Sequence, residues 1–242
     1  MTRYRVFLIL ALLCVVLIGG VFATPGIIEG QYNRVRNRPP YAVPTAAAEL
    51  QQELFIADLH ADSLLWGRNL LSRSTTGHVD IPRLQQAHVS LQAFTVVTTI
   101  PRHLNIERNA GSSDMGRYLA IAERWPPSTW NSPKERALYQ AGRLRMFETE
   151  SSGKLVILRS RSDLQKFVAS REPQRVAALL GTEGAQPLEG KLEHRARNAD
   201  PVVLAAIEAQ GFMCVGARQR RQWRQRNPVH RRQRRAALPR QA

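Results

Sequence analysis

Cysteine is almost absent from this chain. Of 242 residues only Cys14 and Cys214 carry a thiol, one inside an apolar N-terminal run and the other in a later apolar segment, so no disulfide between them is expected. Two isolated thiols also exclude a cysteine-ligated zinc site, and both read as small hydrophobic residues. Acidic residues are scarce as well, 19 against 35 Lys and Arg, for a formal net charge of +16 and a pI of about 11.2. The shortage is local. From Arg218 onward there are ten arginines and no acidic side chain, and without them the remaining 25 basic residues exceed the 19 acidic ones by only six. The body is therefore mildly basic, and its 43% hydrophobic content allows a sizeable core in one large domain or two small ones.

Charge is missing altogether from Val6 to Ala23. Those eighteen residues would span about 27 Å as a helix, close to the hydrocarbon thickness of a bilayer. A cleaved signal would want small residues around its cleavage site, and Val21-Phe22-Ala23 has valine at the outer position. Leu13 ahead of Cys14 argues against a lipoprotein box. The run is read as an uncleaved single-pass anchor over residues 1–24. Arg3 and Arg5 place its start in the cytoplasm, although Arg34, Arg36 and Arg38 reduce the asymmetry; the body then lies on the non-cytoplasmic side, periplasmic or extracellular. Residues 24–45 have four prolines, two glycines and no helical period, which reads as a linker (25–49 in the domain division) resting near anionic headgroups.

The sequence beyond alternates apolar runs of strand length with helical stretches. Strands are expected at 54–60, 89–99, 154–158, 176–180 and 211–216, and helices at 46–53, 63–71, 115–123, 134–150, 163–170 and 201–209, with Ser160 or Ser162 capping the penultimate one. That alternation predicts an α/β protein with a mainly parallel sheet, and in such folds chemistry gathers at the C-terminal strand ends. Two of those ends carry suitable groups. The first apolar run closes in Asp58-Leu59-His60-Ala61-Asp62, whose alternate residues would project together from a strand; an imidazole beside a carboxylate suits a zinc-type cation. Glu183 follows the strand at 176–180 and could complete or bridge the same site. Helix capping is the structural alternative for each carboxylate.

Three segments in order carry a resemblance: Asp58-Leu59-His60-Ala61-Asp62; Gly77-His78-Val79-Asp80-Ile81-Pro82-Arg83-Leu84 with Val89-Ser90-Leu91-Gln92-Ala93-Phe94; and Gly181-Thr182-Glu183-Gly184-Ala185-Gln186-Pro187-Leu188-Glu189-Gly190. Together they resemble the membrane dipeptidases (renal dipeptidase-like, metallopeptidase family M19) over residues 50–216. The resemblance implies a (β/α)8 TIM-type barrel, of which this chain would hold about the first half. It also implies two Zn2+ ions sharing a bridging water or hydroxide, with His60 and Asp62 on one metal and Glu183 bridging both. A shared water lowered toward neutral pKa and a polarised peptide carbonyl would then hydrolyse a dipeptide.

The departure from the family is as informative. Two later histidines for the second metal and a late proton-transferring Asp have no counterpart here, and after Gly216 the chain turns to Ala217-Arg218-Gln219-Arg220-Arg221-Gln222-Trp223. His230, among arginines with no apolar strand to present it, is not a ligand candidate. The segment 217–242 is either a polybasic tail suited to anionic lipid or nucleic acid, or the product of a shifted reading frame; the abrupt change inside a motif favours the latter. The expectation is a truncated metallodipeptidase of weak or absent activity, because half a parallel barrel leaves an open core and edge. Its partners would be a dipeptide and the membrane, a homodimer is compatible, and nucleic acid is not expected. The alternative is a non-enzymatic membrane-tethered protein acting through the basic tail. His78, His88, His103 and His194 are read as surface or supporting groups, and the Glu/Arg pairs of 135–150 as an exposed helix face.

Overall fold

The charge-free run forms the middle of helix α1 (Arg3–Tyr32), and its residues from Val6 to Phe22 are all exposed. In this computed structural model, residues 3–103, 113–170, 172–182, 186–188 and 212–213 are described. α1 does not stop where its apolar run does. It passes through Pro25 to Tyr32, so the irregular linker expected from residue 24 begins only at Asn33. A proline removes one intrahelical donor, and the residues after it gain packing against the body that the sequence pattern did not announce. α2 (Thr45–Glu53) matches its expected run.

All expected strands are present among the described residues: β1 (Ile56–Ala61), β2 (Val89–Val96), β3 (Leu155–Ile157), β4 (Val176–Thr182) and β5 (Phe212–Met213). Every pairing between them is parallel, in the order β1-β2-β4-β3, with β5 also against β4. β4 lies beside β2 along its whole length, from Leu91↔Ala177 to Val96↔Thr182. Its other side is shared: β3 flanks Val176–Ala178, and β5 pairs with Leu180 and Gly181. Chain order therefore runs β1-β2-β4-β5 across the sheet, with β3 set beside the start of β4.

Helices α3 (Ile81–Gln86), α4 (Gly116–Ala122), α5 (Pro133–Glu150) and α6 (Arg161–Ala169) fill the crossovers. Alternation along the strands divides the core. Phe94, Val96, Ala178 and Leu180 pack with Leu84 of α3 and with Ala137, Ala141, Leu144 and Phe147 of α5. Leu91 and Ala177 pack with Leu158 and with Phe167 of α6. Each large side chain so buried contributes about 1.5–3 kcal/mol of transfer free energy. The starts of α5 and α6 follow ordinary capping chemistry. Ser132 accepts from Glu135 N at 3.1 Å, with Pro133 in the first turn, and Ser160 accepts from Asp163 N at 3.1 Å; Ser160 rather than Ser162 is the cap.

Two expectations are corrected. The helix proposed over 63–71 is only a 3-10 turn, Ser63–Leu65. The carbonyls of Leu64, Trp66 and Arg68 are instead taken by the Arg143 guanidinium at 2.7, 2.6 and 2.9 Å. That observation also overturns the exposed-face reading of 135–150. Arg136 is 2% exposed, donating to Thr129 O and Thr98 O and pairing with Asp114 at 2.6 Å. An arginine reaching backbone carbonyls inward has the same sequence signature as one in an i,i+4 surface pair. The helix expected at 201–209, Cys214 and the segment 217–242 lie outside the described residues.

Candidate metal centre

Because β1, β2 and β4 are parallel, their C-terminal ends share one edge of the sheet, and the pair singled out from sequence sits there. His60 Nε2 and Asp62 Oδ2 are 3.4 Å apart, with side chains 55% and 34% exposed, so a cation and substrate could reach both. Zinc bonds of about 2.0–2.1 Å at a tetrahedral angle separate two ligand atoms by roughly 3.3 Å. The observed gap fits one edge of such a site and is long for a hydrogen bond.

Asp58 does not join them as the period of two had suggested. The register slips between Asp58 and Ala61: their partners on β2 are Gln92 and Phe94, two residues apart where β1 uses three. Such a bulge breaks the alternation on which the grouping rested. Asp58 Oδ1 accepts from His60 N at 3.1 Å, so its carboxylate holds the irregular backbone.

Asp62 has a partner that sequence reasoning missed. Thr95 of β2 donates its hydroxyl to Asp62 Oδ1, while the opposite oxygen faces His60. Gly181 is the register partner of Thr95 on β4, and a Cβ there would stand 3.6 Å from Thr95 Cγ2. A hydroxyl inside an otherwise apolar strand (Val89 to Val96 reads VSLQAFTV) was the available signal. Glu183, the third expected ligand, lies outside the described residues; β4 is described to Thr182, on the same edge as Asp62. Among the described residues, no group of three or more His, Cys, Asp or Glu gathers around a common point.

The chain leaving Asp62 is held from beneath. Besides the three carbonyls bound by Arg143, Gly67 N donates to Glu123 Oε2 at 2.9 Å. Burial pushes the Glu123 carboxyl above the usual carboxylate range, the Gly67 N–H opposes that shift, and the nearby Glu29 charge adds to it. The second sequence segment proves structural. Asp80 is fully buried; it caps α3 through Arg83 N at 2.9 Å, accepts from Ser74 N at 3.0 Å and pairs with the Arg83 guanidinium at 2.6 Å. Arg83 reaches on to the carbonyls of Thr76 and Gly77. His78 is exposed, and His88 and His103 occupy left-handed backbone positions; His194 and His230 lie outside the described residues.

A cavity of about 340 Å³ opens at the other edge of the sheet, where β2 and β4 begin, between His88, Ser90, Glu172 and Arg175. It lies at the opposite ends of the strands from the His60–Asp62 pair.

The sequence model of the membrane dipeptidases (peptidase family M19) fits residues 45–207, a span that includes His60, Asp62, Thr95 and Glu183. No curated protein matches the chain.

Proposed function

The chain belongs to the membrane dipeptidase family, peptidase family M19, and from that premise we propose that it is a zinc-dependent hydrolase of dipeptides. The observation carrying this reading is the convergence of His60 Nε2 and Asp62 Oδ2, 3.4 Å apart, at a C-terminal strand end inside the matched span. His60 would offer a neutral ring nitrogen and Asp62 one carboxylate oxygen, with Glu183 bridging to a second ion. Zinc held there would supply Lewis acidity, activating water near neutral pH and polarising the peptide carbonyl.

The chain's own contribution is positional. Thr95 fixes one oxygen of Asp62 and leaves the other facing His60, where it would be free to hold the cation. Arg143 and Glu123 fix the segment that follows, so the pair keeps its separation without rebuilding the loop for each turnover. We assign residues 50–216 to the opening part of a (β/α)8 barrel, a reading supported by the parallel succession β1-β2-β4-β5, with β3 set beside the start of β4. α1 is long and apolar enough to cross a membrane; we read it as a single-pass anchor with the body on the non-cytoplasmic side.

The test uses the full chain in detergent, dialysed against zinc. The metal retained per chain and the hydrolysis of an unblocked dipeptide are measured for the wild type, His60→Ala and Glu183→Ala. Zinc retained by the wild type and lost in both variants supports the reading. A wild type that holds no more zinc than His60→Ala refutes it.

A further inference from the structure

α1 is not a loose tether. Its C-terminal third is bolted to the body through contacts of several kinds. Glu29, 7% exposed, meets Arg68 Nε at 2.9 Å, Tyr32 stacks on Trp66 with ring centroids 6.2 Å apart, and Gly77 N donates to Asn33 O at 2.8 Å. Ile28 packs on the cluster of Leu65, Trp66, Ala120 and Trp125. The uppermost contact is the most telling. The Arg124 guanidinium lies 4.8 Å from the ring of Phe22, the last aromatic residue of the charge-free run.

That contact fixes a depth. If the eighteen charge-free residues fill the hydrocarbon layer, Phe22 stands at its outer boundary and Arg124 at the level of the headgroups. Arg124 lies two residues beyond α4, in a left-handed backbone position, and on α4 itself the solvent-facing Ile121 stands four residues from Arg117 and three from Tyr118, on one helix face. Tyr118 is 54% and Ile121 41% exposed, and Arg117 lies over the Tyr118 ring at 5.5 Å. Two guanidinium groups around a tyrosine and an isoleucine suit the boundary between phosphate and acyl chain: the cations bind phosphate while the apolar parts leave water. We infer that the Arg117–Tyr118–Ile121 face of α4, together with Arg124 just beyond its end, lies on the anionic phospholipid surface of the leaflet from which α1 emerges, so that the body is fixed in orientation on the membrane.

This rests on the reading of α1 as a membrane span, and the experiment separates the two. The full chain, with Cys14 and Cys214 replaced by alanine, carries an environment-sensitive fluorophore on Ile121→Cys, or for control on Val168→Cys of α6. It is reconstituted in vesicles of phosphatidylcholine alone and of phosphatidylcholine mixed with phosphatidylglycerol. The expected result is a blue-shifted emission at 121, larger with phosphatidylglycerol and lost in Arg117→Glu/Arg124→Glu, with water-like emission at 168 throughout. A chain that resists alkaline carbonate yet shows the same water-like emission at 121 as at 168 overturns the surface while leaving the anchor. Extraction by carbonate overturns both. A blue shift indifferent to phosphatidylglycerol that disappears on diluting the protein in the bilayer assigns the face to a second copy and overturns the proposal.

Discussion

Thr95 on β2 donates its hydroxyl to one carboxylate oxygen of Asp62, and the other oxygen faces His60 Nε2 at 3.4 Å. The two oxygens of a single carboxylate thereby have different neighbours, one the hydroxyl of the adjoining strand and the other the imidazole beside which we propose a cation binds. Thr95→Val keeps the shape and removes the donor. Supporting hydrogen bonds of this kind are worth about 10–100-fold in metal affinity, and a loss of that order is expected in a zinc-chelator competition. Thr95→Ser should restore most of it. Equal zinc affinity for wild type and Thr95→Val would show that the hydroxyl does not position Asp62.

Arg143 of α5 is expected to matter for stability. Its guanidinium satisfies three carbonyls, those of Leu64, Trp66 and Arg68, in the segment whose sequence pattern predicts a helix. Arg143→Met leaves them to whatever water can enter, at about 3 kcal/mol or more, since each buried unpaired polar group costs roughly 1–3 kcal/mol. Lysine cannot reproduce the fork, so Arg143→Lys should recover little. Denaturant unfolding of the detergent-solubilised chain reads both.

Glu123 makes the fold sensitive to pH in a definite direction. Its folded-state pKa is raised, chiefly by burial, so the folded state binds the proton more tightly than the unfolded one. The stabilisation is fully present below the ordinary carboxylate pKa and fades as pH rises through the raised value. Glu123→Gln retains an acceptor for Gly67 N and removes the titration. The midpoint of thermal unfolding should then fall less with rising pH across that window than in the wild type. An unchanged slope would mean that the group does not titrate differently on folding.

Gly77 is needed where it stands. Its φ is +68°, a region that disfavours side chains, and a Cβ would come within 2.4 Å of the Arg68 guanidinium. That guanidinium already holds Glu29 of α1 and the Thr76 carbonyl. Gly77→Ala is expected to destabilise by about 1–3 kcal/mol and to loosen the end of α1. Faster proteolysis between residues 33 and 44 would report that loosening, and Arg68→Ala should reproduce it without the backbone strain.

Composition and pattern settled the local questions here. The charge-free run predicted the apolar part of α1, β-branched and aromatic runs predicted the strands, and serine ahead of a polar helical stretch offered a cap at Ser160 or Ser162, because each depends on residues a few positions apart. His60 and Asp62 were legible for the same reason, and three ordered segments were enough to reveal the family. The interactions that join distant parts of the chain were not. The bulge that removes Asp58 from the pair arises from how β1 meets β2. Thr95 matters only because β2 lies beside the end of β1, and Arg136 and Arg143 turn inward to carbonyls that no helical spacing encodes. The continuation of α1 to Tyr32 depends on Arg68, Trp66 and Gly77, more than thirty residues away. Local preference is a property of neighbouring residues and can be read along the chain; hydrogen-bond partners and buried ion pairs across elements exist only once the sheet has brought those elements together.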